Sequence, residues 1–182
     1  MTTTRLAVQR GRLDFMTELC VDTAVRSTPS RTDSYASAAA SCACNSLRKA
    51  SRAVTQLFDQ TLEPTGLRST QFVILLEIAI AEHTTVPQLA RRLVLDRSTL
   101  HRNVQPLVRR GLIRVSAGAA RRSREMTLTP AGHRVVAAAI PLWDHAQTTF
   151  LQQFGRKRWR TMRDSLSAAV TAARGEGTPP DT

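Results

Sequence analysis

Asp96-Arg97-Ser98-Thr99-Leu100-His101-Arg102-Asn103-Val104-Gln105-Pro106-Leu107-Val108-Arg109-Arg110-Gly111 is the most informative stretch of the 182-residue chain. Asp96 is placed to cap a helix and Gly111 to end one. Projected on a helix, Leu100, Val104, Leu107 and Val108 fall on one side, a core face. Arg97, Ser98, His101, Arg102, Gln105 and Arg109 fall on the other. A merely solvated amphipathic helix mixes acids with bases, yet no acid follows Asp96 here. The N-terminal half of the polar face holds donors suited to guanine edges in a major groove.

The flanking sequence gives this helix its setting. Thr85-Val86-Pro87-Gln88 reads as a capping box with proline in the first turn, opening a short helix that ends near Leu93. A tight turn then leads to Asp96. Two short strands are expected over residues 112–116 and 125–129, joined by a loop that carries Arg121, Arg122 and Arg124. Two short helices followed by such a hairpin make a winged helix-turn-helix, whose second helix enters the major groove. Arginines at the hairpin tip suit a narrow minor groove, where the negative potential is strongest. Phosphate contact is the lesser reading.

Long helices flank this unit. Residues 34–62 repeat apolar Ala40, Ala43, Leu47, Ala50, Val54 and Leu57 at alternating spacings of three and four. Such a stripe needs a partner helix, from its own chain or a second copy. Glu63-Pro64-Thr65-Gly66 stops it. A further helix spans about 69–82. After Thr129-Pro130 a long helix carries Val136, Ala139, Ile140, Trp143, Ala146, Phe150 and Phe154, with a kink expected at Pro141. The last helix carries Trp159, Met162, Leu166, Ala169 and Val170. Residues 1–33 lack a period and read as a flexible arm or, given Met16, as sequence before a later start. Residues 175–182 read as a disordered tail.

Charge agrees with the motif. The chain carries a net +12, and residues 85–134 hold +9 of it, with eleven arginines against Asp96 and Glu125. Residues 34–84 are neutral, so a general bias toward arginine does not explain the excess. A footprint for a polyanion does. The longest apolar run, residues 73–81, is interrupted by Glu77, which excludes a membrane span. Cys20, Cys42 and Cys44 are too few for a disulfide scaffold, and no signal sequence precedes them, so a reduced, cytoplasmic protein is expected. No phosphate-binding glycine loop, metal-ligand spacing or catalytic constellation is present. Asp59 and Glu63 read as the solvated end of a helix. The chain is therefore expected to be no enzyme and to need no cofactor or metal.

Leu95-Asp96-Arg97-Ser98-Thr99-Leu100, then Leu107-Val108-Arg109-Arg110-Gly111-Leu112-Ile113, then Leu128-Thr129-Pro130-Ala131-Gly132 resemble the MarR family of bacterial transcriptional regulators. The resemblance runs from about residue 42 to residue 170. It implies a mainly α fold with a small two-stranded β wing: a winged helix-turn-helix at about 68–132, flanked by dimerisation helices at about 34–62 and 130–174. It also implies a homodimer on a palindromic double-stranded DNA operator, repressing transcription until a small ligand or an oxidant releases it. The candidate DNA contacts are Arg97, Ser98, Thr99, His101, Arg102, Gln105, Arg121, Arg122 and Arg124. Family wings carry an Asp two residues before an Arg; Ala120 stands there before Arg122.

Cys44 matches the position of the sensing cysteine in the family's organic-hydroperoxide branch. That branch surrounds its cysteine with tyrosines, where Arg48 and Phe58 stand here. On one continuous helix Cys42 and Cys44 would point apart and not bridge. The preferred trigger is a small apolar or aromatic effector between the first helix and the helix containing Pro141. Oxidant sensing through Cys44 is one alternative; an architectural protein without sequence choice is another.

Overall fold

The computed structural model describes residues 30–118 and 124–175. They form two units divided between Ser46 and Leu47. The first holds helix α1, Arg31–Ser41, and the opening turn of α2, Ala43–Leu62. Helix therefore begins earlier than expected, inside the segment read as an arm. Its cause is the Ser30-Arg31-Thr32-Asp33 box: the Asp33 N–H donates to Ser30 Oγ at 3.2 Å and the Ser30 N–H to Asp33 Oδ2 at 3.0 Å. Residues 1–29 lie outside the described residues.

The single helix expected over 34–62 is two helices. Cys42 takes an extended ψ of 109° between α1 and α2. No glycine or proline marks the break, but side chains serve both ends. Asn45 Nδ2 donates to the Ala39 carbonyl at 3.1 Å, and the Asn45 N–H donates to Cys42 Sγ at 3.4 Å. Cys42 lies in the break itself, so the opposed directions expected on one continuous helix do not apply; Cys42 and Cys44 are both free and exposed.

The second unit continues α2 through a 3-10 turn, Glu63–Thr65, into α3, Ser69–Ala81. Asp59 helps start α3: its Oδ1 accepts from the Ser69 N–H at 2.6 Å and its Oδ2 pairs with Arg68 at 3.3 Å. It is an inter-helix cap, not one end of a solvated pair. Then follow β1 (Thr84–Thr85), α4 (Val86–Leu93), α5 (Arg97–Arg109), β2 (Ile113–Ala117), β3 (Arg124–Leu128), α6 (Pro130–Phe154) and α7 (Arg156–Arg174).

The sheet has three antiparallel strands in the order β1-β3-β2, where two were expected. Thr84 pairs with Met126, and Ile113 with Leu128. Two residues are too short for a period-two pattern, which is why β1 escaped the sequence. Its buried Thr84 ties the start of α4 to the wing.

The core gathers Leu62, Leu67, Phe72, Ile74, Leu75, Ile78, Leu89, Leu100, Leu107 and Met126 around α3. Thr129 locks the wing to α6: its hydroxyl donates to the Gly111 carbonyl at 2.7 Å and accepts from the Gly132 N–H at 3.0 Å. A side chain at Gly132 would run into the Leu112 carbonyl. The Leu128-Thr129-Pro130-Ala131-Gly132 motif is thus the joint between sheet and long helix. Helix α6 is one span through Pro141, whose missing N–H leaves the Ala137 carbonyl without its usual donor. Helix α7 buries no residue. It closes at Gly175 (φ 67°), and residues 176–182 lie outside the described residues. Among the described residues, no helix is long and apolar enough to cross a membrane.

Candidate nucleic-acid interface

Helix α5 begins on its expected cap. Asp96 Oδ1 accepts from the Thr99 N–H at 2.7 Å and from Ser98 Oγ at 2.6 Å. The Ser98 hydroxyl, then Thr99, hold the carboxyl far below its ordinary value of 3.8, so Asp96 stays ionised. The helix ends in a Schellman arrangement: the Gly111 N–H donates to the Val108 carbonyl and the Leu112 N–H to the Leu107 carbonyl, both at 2.9 Å. Gly111 takes the required left-handed φ of 67°.

Between these ends the two faces separate as their spacing demands. Leu100, Val104 and Leu107 are buried, and Val108 packs against the same cluster. Arg97, Ser98, His101, Arg102 and Arg109 are exposed; Thr99 and Gln105 are half-buried. Arg102 Nη2 donates to Thr99 Oγ1 at 3.3 Å, which steadies the guanidinium over the first turn. Ser98 spends its hydroxyl proton on Asp96, so it faces outward as an acceptor.

The turn from α4 to α5 passes through Val94 in the left-handed region, φ 52°. A β-branched residue is seldom found there. Its N–H and that of Leu95 close the end of α4, Leu95 donating to the Ala90 carbonyl at 2.9 Å. Arg124 is exposed at the end of β3 that adjoins the hairpin loop, paired in register with Ala117. Arg121 and Arg122 lie outside the described residues.

Not every arginine of residues 85–134 points outward to a ligand. Arg92 pairs with Glu77 of α3 at 3.0 Å. Arg110 donates through Nη1 to the Gly66 carbonyl at 2.8 Å and through Nη2 to the Thr65 carbonyl at 3.2 Å. It straps the end of α5 to the turn after α2. Sequence reasoning missed both roles, because an arginine with a partner far along the chain reads like any other. Among the described residues, no three His, Cys, Asp or Glu groups converge as a metal site.

An apolar cavity of about 230 Å³ lies between α2, α3, α6 and α7. It is lined by Val54, Phe58, Phe72, Trp143, Phe150 and Trp159, with Thr55, Ser69 and Gln147 as polar groups. Trp159 meets Phe150 edge-on at 5.5 Å between ring centroids.

Comparison with known proteins gives this geometry a family. No curated protein matches the chain. A family model described as the MarR family matches residues 65–123. Two structures of the M. tuberculosis transcriptional regulator MosR, the second in complex with DNA, are 34% and 37% identical to the chain. They cover 75% and 73% of it, and 98% of the MosR chain in each case, with TM-scores of 0.67 and 0.65. A transcriptional regulator of the MarR family from Rhodococcus sp. RHA1 is 26% identical, covering 68% of this chain and 88% of its own, with a TM-score of 0.60. The motifs at 95–100, 107–113 and 128–132, the three-stranded wing and these likenesses agree: the chain belongs to the MarR family of transcriptional regulators.

Proposed function

We propose that this regulator binds a specific, palindromic duplex DNA operator as a homodimer and represses transcription until a small apolar or aromatic effector releases it. The observation that carries the reading is the exposed, acid-free face of α5 beyond its capped first turn, with Arg97, Ser98, Thr99, His101, Arg102 and Gln105 along it. Base edges are read by the N-terminal residues of such a helix. Arg124 and, by sequence, Arg121 and Arg122 reach the adjoining minor groove. MosR, solved with DNA, supports the choice of partner.

Dimerisation runs through the outer helices. Leu47 and Val170 are 47% and 42% exposed, and no residue of α7 is fully buried in a single chain. The effector seat is the cavity between α2 and α6. Its rings and neutral polar groups suit a single-ring aromatic ligand without charge. Selection of bound duplexes from a random library tests the reading. It predicts a two-fold symmetric consensus with half-sites roughly one helical turn apart; recovery of unrelated sequences would favour the architectural alternative.

A second reading has its own observation. Cys42 and Cys44 are exposed thiols beside a helix break, and Cys44 is therefore within reach of an oxidant. In the thiol reading, organic hydroperoxide releases the selected duplex from wild type and not from Cys44→Ser. Release from neither protein leaves the effector reading in place.

A further inference from the structure

We propose that Arg110 sets the half-site spacing this regulator accepts. By strapping the end of α5 to the turn that follows α2, it fixes where each DNA-reading helix stands relative to the dimer helices. The proposal rests on the palindromic-dimer reading above and adds to it a specificity determinant that touches no base.

Arg110 is the residue on which α5 stops, its backbone N–H donating to the Pro106 carbonyl at 3.0 Å. Its side chain then crosses to the turn after α2. Nη1 donates to the Gly66 carbonyl at 2.8 Å and Nη2 to the Thr65 carbonyl at 3.2 Å. The donors of a guanidinium are fixed in one plane, so two carbonyls define both its position and its tilt. The acceptors are held as firmly. They close the 3-10 turn Glu63–Thr65, where carbonyls lack partners of their own and the helix dipole favours a cation. Gly66 takes a left-handed φ of 65°, and its N–H donates to the Glu63 carbonyl at 2.8 Å. The Thr65 hydroxyl donates to the Leu62 carbonyl at 2.7 Å and accepts from the Leu67 N–H at 3.3 Å.

Little else fixes the angle of α2. Its buried residues are Phe58 and Leu62 alone, both near its C-terminal end. Farther up, the cavity of about 230 Å³ separates Val54 and Thr55 from Trp143, Phe150 and Trp159, so close packing does not hold the helix there. Leu47 stands about 22 Å along the helix from Leu62, at 1.5 Å per residue. A tilt of about 10° at the turn would carry it about 4 Å, more than the roughly 3.4 Å between successive base pairs. In a two-fold dimer that tilt acts on both heads, so it changes the separation of the two α5 helices. Two accounts compete: Arg110 as a phosphate contact at the exposed end of α5, and Arg110 as a strap that only adds stability.

Spacing tolerance separates the three. Full-length wild type, Arg110→Lys and Arg110→Gln are titrated at one salt concentration onto a fluorescent duplex selected by the wild type. They are also titrated onto duplexes whose half-sites stand one base pair closer or farther apart, which turns one half-site by about 35° relative to the other. Wild type is expected to lose at least about tenfold in Kd on either, since a misplaced half-site costs no less than a mismatched base pair. Lys keeps the charge but not the planar fork. In both variants the penalty is therefore expected to shrink to about threefold or less. A phosphate contact would instead leave Arg110→Lys like wild type and weaken Arg110→Gln equally at every spacing. Circular dichroism and sedimentation check that each variant is folded and dimeric; if Arg110→Gln does not fold, Arg110→Lys decides alone. A full wild-type penalty in folded Arg110→Lys, or a wild type indifferent to spacing, overturns the proposal and leaves the DNA-binding reading intact. A wild type that selects no two-fold symmetric duplex overturns the palindromic-dimer reading and the proposal with it.

Discussion

In the proposed reading, base recognition depends most on Arg102. It stands exposed on α5, and its hydrogen bond to Thr99 Oγ1 orders the side chain before DNA arrives. Arg102→Ala should cost about 1–3 kcal/mol of operator binding and relax specificity at one position of each half-site, measured on duplexes mutated one position at a time. Equal losses at every position would instead assign Arg102 to a phosphate. Gly132 tests the fold at the same scale. An added methyl group meets the backbone carbonyl of Leu112, which the Thr129 joint holds in place. Gly132→Ala should lower stability by about 1–3 kcal/mol in a denaturant titration, as overpacking against backbone does. At this scale the caps were legible: Thr85, Asp96 and Gly111 act locally, within a few residues of the groups they serve. Arg110 was not, because its carbonyl partners at Thr65 and Gly66 lie 45 and 44 residues away.

Elements were legible in proportion to their length and pattern. The helices α4 and α5 appear with their expected caps because local hydrogen bonds fix both ends. Helix α3 appears too, within its expected span, but its pattern does not show which face is buried. The run is apolar nearly all round, so tertiary contact chose Ile74 and Ile78 for the core and left Val73 and Ile80 exposed. The α1–α2 break and β1 gave no signal, one lacking glycine or proline and the other being two residues long. Helix α2 also carries a prediction. Leu47 is exposed in a single chain, so Leu47→Asp should fold normally and sediment as a monomer at micromolar concentration. Operator binding should fall with it, since one module makes half the contacts. A dimeric Leu47→Asp protein would move the interface off this face.

Across the whole molecule, net charge indicated the partner class but overstated the footprint. Residues 85–134 hold eleven arginines, yet Arg92 and Arg110 are engaged within the fold. Charge counted along the chain could not see this, because the partners of both arginines lie on other elements. The central claim is that this surface reads sequence and does more than attract a polyanion. The most direct measurement is a competition titration: full-length protein on a labelled selected duplex, displaced at matched salt by the same duplex or by an unrelated one. Sequence-specific recognition predicts that the unrelated duplex competes at least about 10³-fold less well. Equal competition by the two duplexes would contradict it.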